Sequence, residues 1–176
     1  GYKSVVAVTG ELFAALSHPQ SLSVVLGVSA KLDFEQIKQL WDGIVVAARE
    51  FGYASLSLEL VPSRNGLAIS INAGGARSAK LTQKQVQAQT KDLLCISGSL
   101  GAAYLGQQLL EQQSQDLDKY KMQLAAYLKP ELGASTLLRL EEAGICPSAA
   151  YFVSNGLSDA VLRLTRDTGL GAKIYA

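Results

Sequence analysis

The sequence predicts an α/β or α+β chain built in two halves, and three observations carry that reading. Short apolar, β-rich runs are interleaved with segments whose apolar residues recur at helical spacing, the order expected of a mixed fold. A polar stretch over residues 77–91, with glutamine at 83, 85, 87 and 89, divides the chain near its middle. Apolar residues make up 48% of the 176, enough to build a packed core. The expected domains are residues 1–80 and 90–176.

In order along the chain, residues 2–8 read as a strand and 11–16 as a short helix closed by His18-Pro19. A second strand is expected over 21–29. Asp33 opens the clearest helix: its carboxylate can cap the first free N–H groups, and Gln36 stands three residues on, as in a capping box. Ile37, Leu40, Trp41, Ile44, Val45 and Ala48 then form one apolar stripe, and Gly52 supplies the stop, so this helix covers a sheet. Residues 54–61 and 66–73 read as an antiparallel pair across Pro62-Ser63-Arg64-Asn65. Leu67, Ile69, Ile71 and Ala73 alternate there with Gly66, Ala68, Ser70 and Asn72, the mark of two unequal faces, and Gly74-Gly75 ends the run.

In the second half, Asp92-Leu93-Leu94-Cys95-Ile96 reads as a buried strand turned by Ser97-Gly98-Ser99-Leu100-Gly101 into a helix running to about residue 113. Leu117, Tyr120, Leu124, Tyr127 and Leu128 share one face of a second helix that stops at Pro130. A third is expected over 132–143, ended by Gly144. Residues 149–154 read as a strand, 157–168 as a helix and 172–175 as a last strand.

Charge excludes several functions. Sixteen basic against 15 acidic side chains give a formal +1, which removes the electrostatic case for nucleic acid or an anionic membrane as the main partner. No apolar run approaches the roughly 18 residues of a spanning helix, and the first residues lack a signal-peptide layout. A soluble, cytoplasmic protein is expected. Cys95 and Cys146, far apart in apolar surroundings, read as buried free thiols. With His18 the only histidine, neither a serine triad nor a histidine zinc site assembles in the usual way, and its loop position reads as solvated. No phosphate-binding lysine loop occurs, and Gly27 and Gly52 belong to no dinucleotide fingerprint.

The turn at 97–101 is more informative. Glycines that open a helix expose backbone N–H groups at its positive end, which suits phosphate, although the same turn also serves simply to reverse the chain. Ser154-Asn155-Gly156-Leu157-Ser158 is a similar turn, with a candidate cap at Asn155 or Ser158. Glu11 and Glu59, near expected strand ends, are either Mg²⁺ ligands or solvated acids.

These segments have a familiar order. Gly1-Tyr2-Lys3-Ser4-Val5-Val6, the 11–15 segment and Pro19 are followed by 56–71, 92–106, Leu128-Lys129-Pro130, 154–157 and Gly169-Leu170-Gly171-Ala172-Lys173-Ile174. Over essentially its whole length the chain resembles the thiamine-monophosphate kinase family, of the superfamily of aminoimidazole ribonucleotide synthetase and selenophosphate synthetase. The resemblance implies the two-domain fold of that superfamily, with the N-terminal sheet pairing across a homodimer. It also implies ATP-dependent transfer of a phosphoryl group to thiamine monophosphate, with Mg²⁺ held by aspartates.

Residue by residue, the resemblance points away from catalysis. The family's Ser-Asp falls on Gly10 and Glu11, and its Gly-Gly-Asp-Thr-Thr on Ser57, Leu58, Glu59, Leu60 and Val61. A nucleotide-contacting arginine falls on the uncharged Gln85. Asp-Ile-Ser-Asp-Gly-Leu falls on Phe152, Val153, Ser154, Asn155, Gly156 and Leu157, so both aspartates there are replaced. The implied nucleotide-binding positions are Leu58, Gln85, Ser97, Gly98 and Ser154, the implied metal positions are Glu11, Glu59 and Asn155, and no catalytic residue is assigned. ATP and Mg²⁺ are the implied cofactors, and a small phosphorylated ligand and a second copy of the chain the implied partners. Three readings stay open: an impaired kinase-like protein with a binding or regulatory role, an active ATP- and Mg²⁺-dependent thiamine-monophosphate kinase, and an active superfamily relative with another phosphoryl chemistry.

Overall fold

Asp33 and Gln36 make the capping box their spacing predicts: Asp33 Oδ1 accepts from the Gln36 backbone N–H at 2.8 Å, and Gln36 Oε1 from the Asp33 N–H at 3.2 Å. The computed structural model describes residues 1–83, 86–112 and 117–175. They divide into two units, Gly1–Ser78 and Ala79–Ala176.

The first unit runs α1 (Tyr2–Ala14), β1 (Ser17–Val28), α2 (Phe34–Glu50), β2 (Ser55–Pro62) and β3 (Ala68–Arg77). Its sheet has the order β2-β1-β3, with β1 parallel to β2 and antiparallel to β3. A parallel pair needs a crossover, which α2 supplies. Leu22, Val24 and Leu26 of β1 are at most 1% exposed and form the core with Val5, Val6, Ile44 and Ala47 of the helices. α1 packs on β1, β3 and α2.

The register gives the sheet two chemically different faces. Leu22, Val24 and Leu26 pair with Leu56, Leu58 and Leu60 of β2 and with Ala73, Ile71 and Ile69 of β3, placing all nine apolar side chains on the helix side. The opposite face carries Ser21 and Ser23 of β1, Ser55, Ser57 and Glu59 of β2, and Ser70 and Asn72 of β3. Ser57 Oγ donates to Ser23 Oγ across it at 3.1 Å.

Four expectations are corrected here. Residues 2–8 are helical: Val5, Val6, Thr9 and Gly10 are buried at i, i+1, i+4 and i+5, one helix face, and that burial outweighs the small helix penalty of valine. His18 and Pro19 lie inside β1, which begins at Ser17; the register slips between Pro19 and Ser21, where the proline ring offers no N–H. The segments at 54–61 and 66–73 do not pair with each other but flank β1, and Ser63 N–H bonds to the Val28 carbonyl at 2.9 Å as the connection passes the end of β1. β3 also continues through Gly74 and Gly75 to Arg77; a Cβ at Gly75 would come within 2.6 Å of the His18 carbonyl.

The second unit contains α3 (Ala79–Thr82), α4 (Ala102–Glu111), a 3₁₀ turn (Leu117–Tyr120), α5 (Lys121–Leu128), α6 (Ala134–Ala143) and α7 (Leu157–Thr168). The expected end of α4 at residue 113 lies outside the described residues. α6 and α7 stop at Gly144 and Gly169, as helices do where a left-handed residue is available. The strands expected over 92–96, 149–154 and 172–175 are irregular: a ladder needs a partner segment, which an apolar run does not by itself specify. Leu93 is 90% exposed, and the expected burial of the thiols fails with it, since Cys95 is exposed and Cys146 half-buried. Among the described residues, no helix is long and apolar enough to cross a membrane.

Candidate functional site

Two helix-opening turns in the second unit carry most of the phosphate-directed signal. Asp92 Oδ2 accepts from the Gln89 N–H at 2.9 Å and from Ser148 Oγ at 3.1 Å, tying together two segments that are far apart in sequence. From that tie one segment runs through Ser97 and Gly98 into α4, and the other through Ser154 and Asn155 into α7. Gly101 caps α4 and Gly156 caps α7, and neither helix has a side-chain cap. Asn155 and Ser158, the cap candidates, therefore do not fill that role. Uncapped N-termini leave backbone donors, and about half a positive charge each, to solvent or an anion. Gly98, Gly101 and Gly156 have φ of 96°, 85° and 96°, a backbone region that favours glycine, so composition sets these turns locally. Ser97, Gly98, Ser154 and Asn155 are all exposed.

The segment that leads into the second turn is held by side chains. Tyr151 donates its hydroxyl to Asp167 Oδ2 at 3.2 Å, and the Arg163 guanidinium lies 5.6 Å from the centre of the Tyr151 ring. Arg163 also donates to the Phe152 carbonyl and pairs through Nε with Asp159 Oδ2 at 3.5 Å. Burial, helped by the Asp167 carboxylate, raises the Tyr151 phenol above its ordinary pKa. In the sequence this cluster shows only as Asp159, Arg163 and Asp167 at successive i, i+4 positions.

In the first unit the expected site residues separate. Glu11 is exposed on α1 rather than at a strand end, on the helix side of the sheet. Glu59 lies within β2 opposite Val25, on the serine-bearing face. Within one copy of this unit the two carboxylates are thus on opposite sides of the sheet. Leu58, 38% exposed, shares the helix-side face with Val24 and points away from Glu59. Gln85 lies outside the described residues. A small apolar groove at the start of α2, lined by Leu32, Gln36, Ile37, Leu40 and Leu67, carries no titratable group.

The donor set does not fit the Mg²⁺ cluster that the resemblance implies. Mg²⁺ demands near-octahedral oxygen ligands at about 2.0–2.1 Å. Phe152 offers no side-chain oxygen and Asn155 no charge, and no group of three or more His, Cys, Asp or Glu among the described residues is placed to hold a metal. The two turns, by contrast, need no carboxylate to receive a phosphate.

No family model and no curated protein sequence matches the chain. Solved structures do. The crystal structure of thiamine monophosphate kinase from Aquifex aeolicus superposes with a TM-score of 0.66 at 14% identity, over 80% of this chain and 47% of that one. The same enzyme complexed with AMPPCP and TMP gives 0.62 at 15% identity, over 80% and 45%. A protein of Thermus thermophilus gives 0.77 at 19% identity, over 94% of this chain and 52% of that one. The chain therefore spans about half the length of the structures it matches. What it shares with thiamine-monophosphate kinase structures is their mixed α/β fold.

Proposed function

We propose that the chain is a thiamine-monophosphate kinase-like protein that binds a small phosphorylated ligand and no longer transfers phosphate, serving a binding or regulatory role in the cytoplasm. The observation that carries this reading is a kept fold with a dispersed set of acids: Glu11 and Glu59 on opposite sides of one sheet, Phe152 and Asn155 where carboxylates would be needed. Phosphoryl transfer depends almost entirely on positioning and charge neutralisation. Each lost charge-assisted contact costs about 1.5–3 kcal/mol. Losses at Phe152, Asn155 and Gln85, even partly additive, slow transfer by about three or more powers of ten.

Ligand binding rests on groups that these replacements leave intact. The turns at 97–101 and 154–156 are exposed, the helices they open have no side-chain caps, and the fold is shared with a kinase solved with AMPPCP and TMP. The nucleotide or thiamine phosphate is the ligand class proposed for them. A homodimer through the three-stranded sheet belongs to the same reading, and light scattering at micromolar concentration tests it.

The deciding assay is thiamine diphosphate formation from ATP and thiamine monophosphate with Mg²⁺, at enzyme levels that reveal slow turnover, alongside calorimetry with AMPPCP in the absence of metal. Binding without turnover supports the proposal. Turnover at about 1 s⁻¹ or faster, the range of an ordinary enzyme, overturns it in favour of an active kinase with a rearranged metal site. Absence of both binding and turnover leaves the two turns as structural features only.

A further inference from the structure

We draw no further inference here: the strongest candidate, the exposed apolar segment at residues 93–96 that leads into the turn before α4, forms no strand, and nothing in the structure shows what covers it.

Discussion

The hydroxyls of Thr9 and Tyr53 stand 2.9 Å apart and share a hydrogen bond that joins the middle of α1 to the third residue past the end of α2. Thr9 is fully buried and also donates to the Val5 carbonyl at 2.7 Å, so the contact satisfies polar atoms inside an otherwise apolar helix interface.

Replacing Tyr53 with phenylalanine removes this bond while keeping the ring. The expected loss is about 1 kcal/mol of stability, the usual net worth of a partly buried hydrogen bond. Urea unfolding with an unchanged m-value checks it, and an unchanged midpoint would mean that the bond contributes nothing. The pH response follows from the same residue. Burial raises the Tyr53 phenol above its ordinary pKa, with the Thr9 contact offsetting part of the shift. The folded state therefore holds that proton more tightly than the unfolded chain. The contribution is complete below the ordinary tyrosine pKa of about 10 and is lost as pH rises through the raised value. Melting temperature should fall above about pH 10, and the fall should be smaller in Tyr53→Phe.

Gly106 and Gly98 should respond to alanine for different reasons. A Cβ at Gly106 would lie 2.7 Å from the Gln123 carbonyl carbon and 2.9 Å from Tyr127 Cβ, so α4 and α5 would have to separate. Overpacking of that kind costs about 1–3 kcal/mol. A Cβ at Gly98 meets nothing within 4 Å, but the φ of 96° leaves an L-residue strained, by about 1–2 kcal/mol. Thermal unfolding should thus show Gly106→Ala as disruptive of helix packing. Gly98→Ala should act chiefly on the turn, weakening any phosphate bound there. Equal phosphate affinity in Gly98→Ala and the parent would remove this turn from the proposed site.

Asp33→Ala deletes one half of the capping box and leaves the Gln36 N–H without its side-chain acceptor. The expected cost is about 1 kcal/mol, and Asp33→Ser should recover most of it. Chemical denaturation of the three proteins measures both steps; no loss in the alanine variant would show that solvent caps α2 equally well.

Leu16 tests strain against burial. It has a φ of 53° at the turn from α1 into β1, yet is only 3% exposed. Glycine would relieve about 1–2 kcal/mol of backbone strain. It would also forfeit the burial and packing of a leucine, about 2–5 kcal/mol for the comparable leucine-to-alanine change. Packing should win, making Leu16→Gly less stable than the parent. A higher unfolding midpoint would show that the strain is the larger quantity.

Local chemistry made part of this molecule legible from its residues alone. The α2 cap at Asp33 and Gln36, the stops at Gly52, Gly144 and Gly169, and the glycine turns before α4 and α7 each depend on contacts within a few residues. A capping bond or a left-handed backbone is selected by the side chains at the spot, so sequence determines it. The site was legible to the same depth: the two turns were, while the hold of Arg163 on Tyr151 and Phe152 required α7 to meet the segment before it. Tertiary structure decided the rest. Val5 and Val6 became helical because burial in the core outweighs β-propensity, and β2 and β3 took opposite edges of β1 because pairing is a choice among distant segments. That choice of edge and register put Glu59 on the serine-bearing face, across the sheet from Glu11, since a strand's side chains alternate and only the filled core fixes which set faces inward.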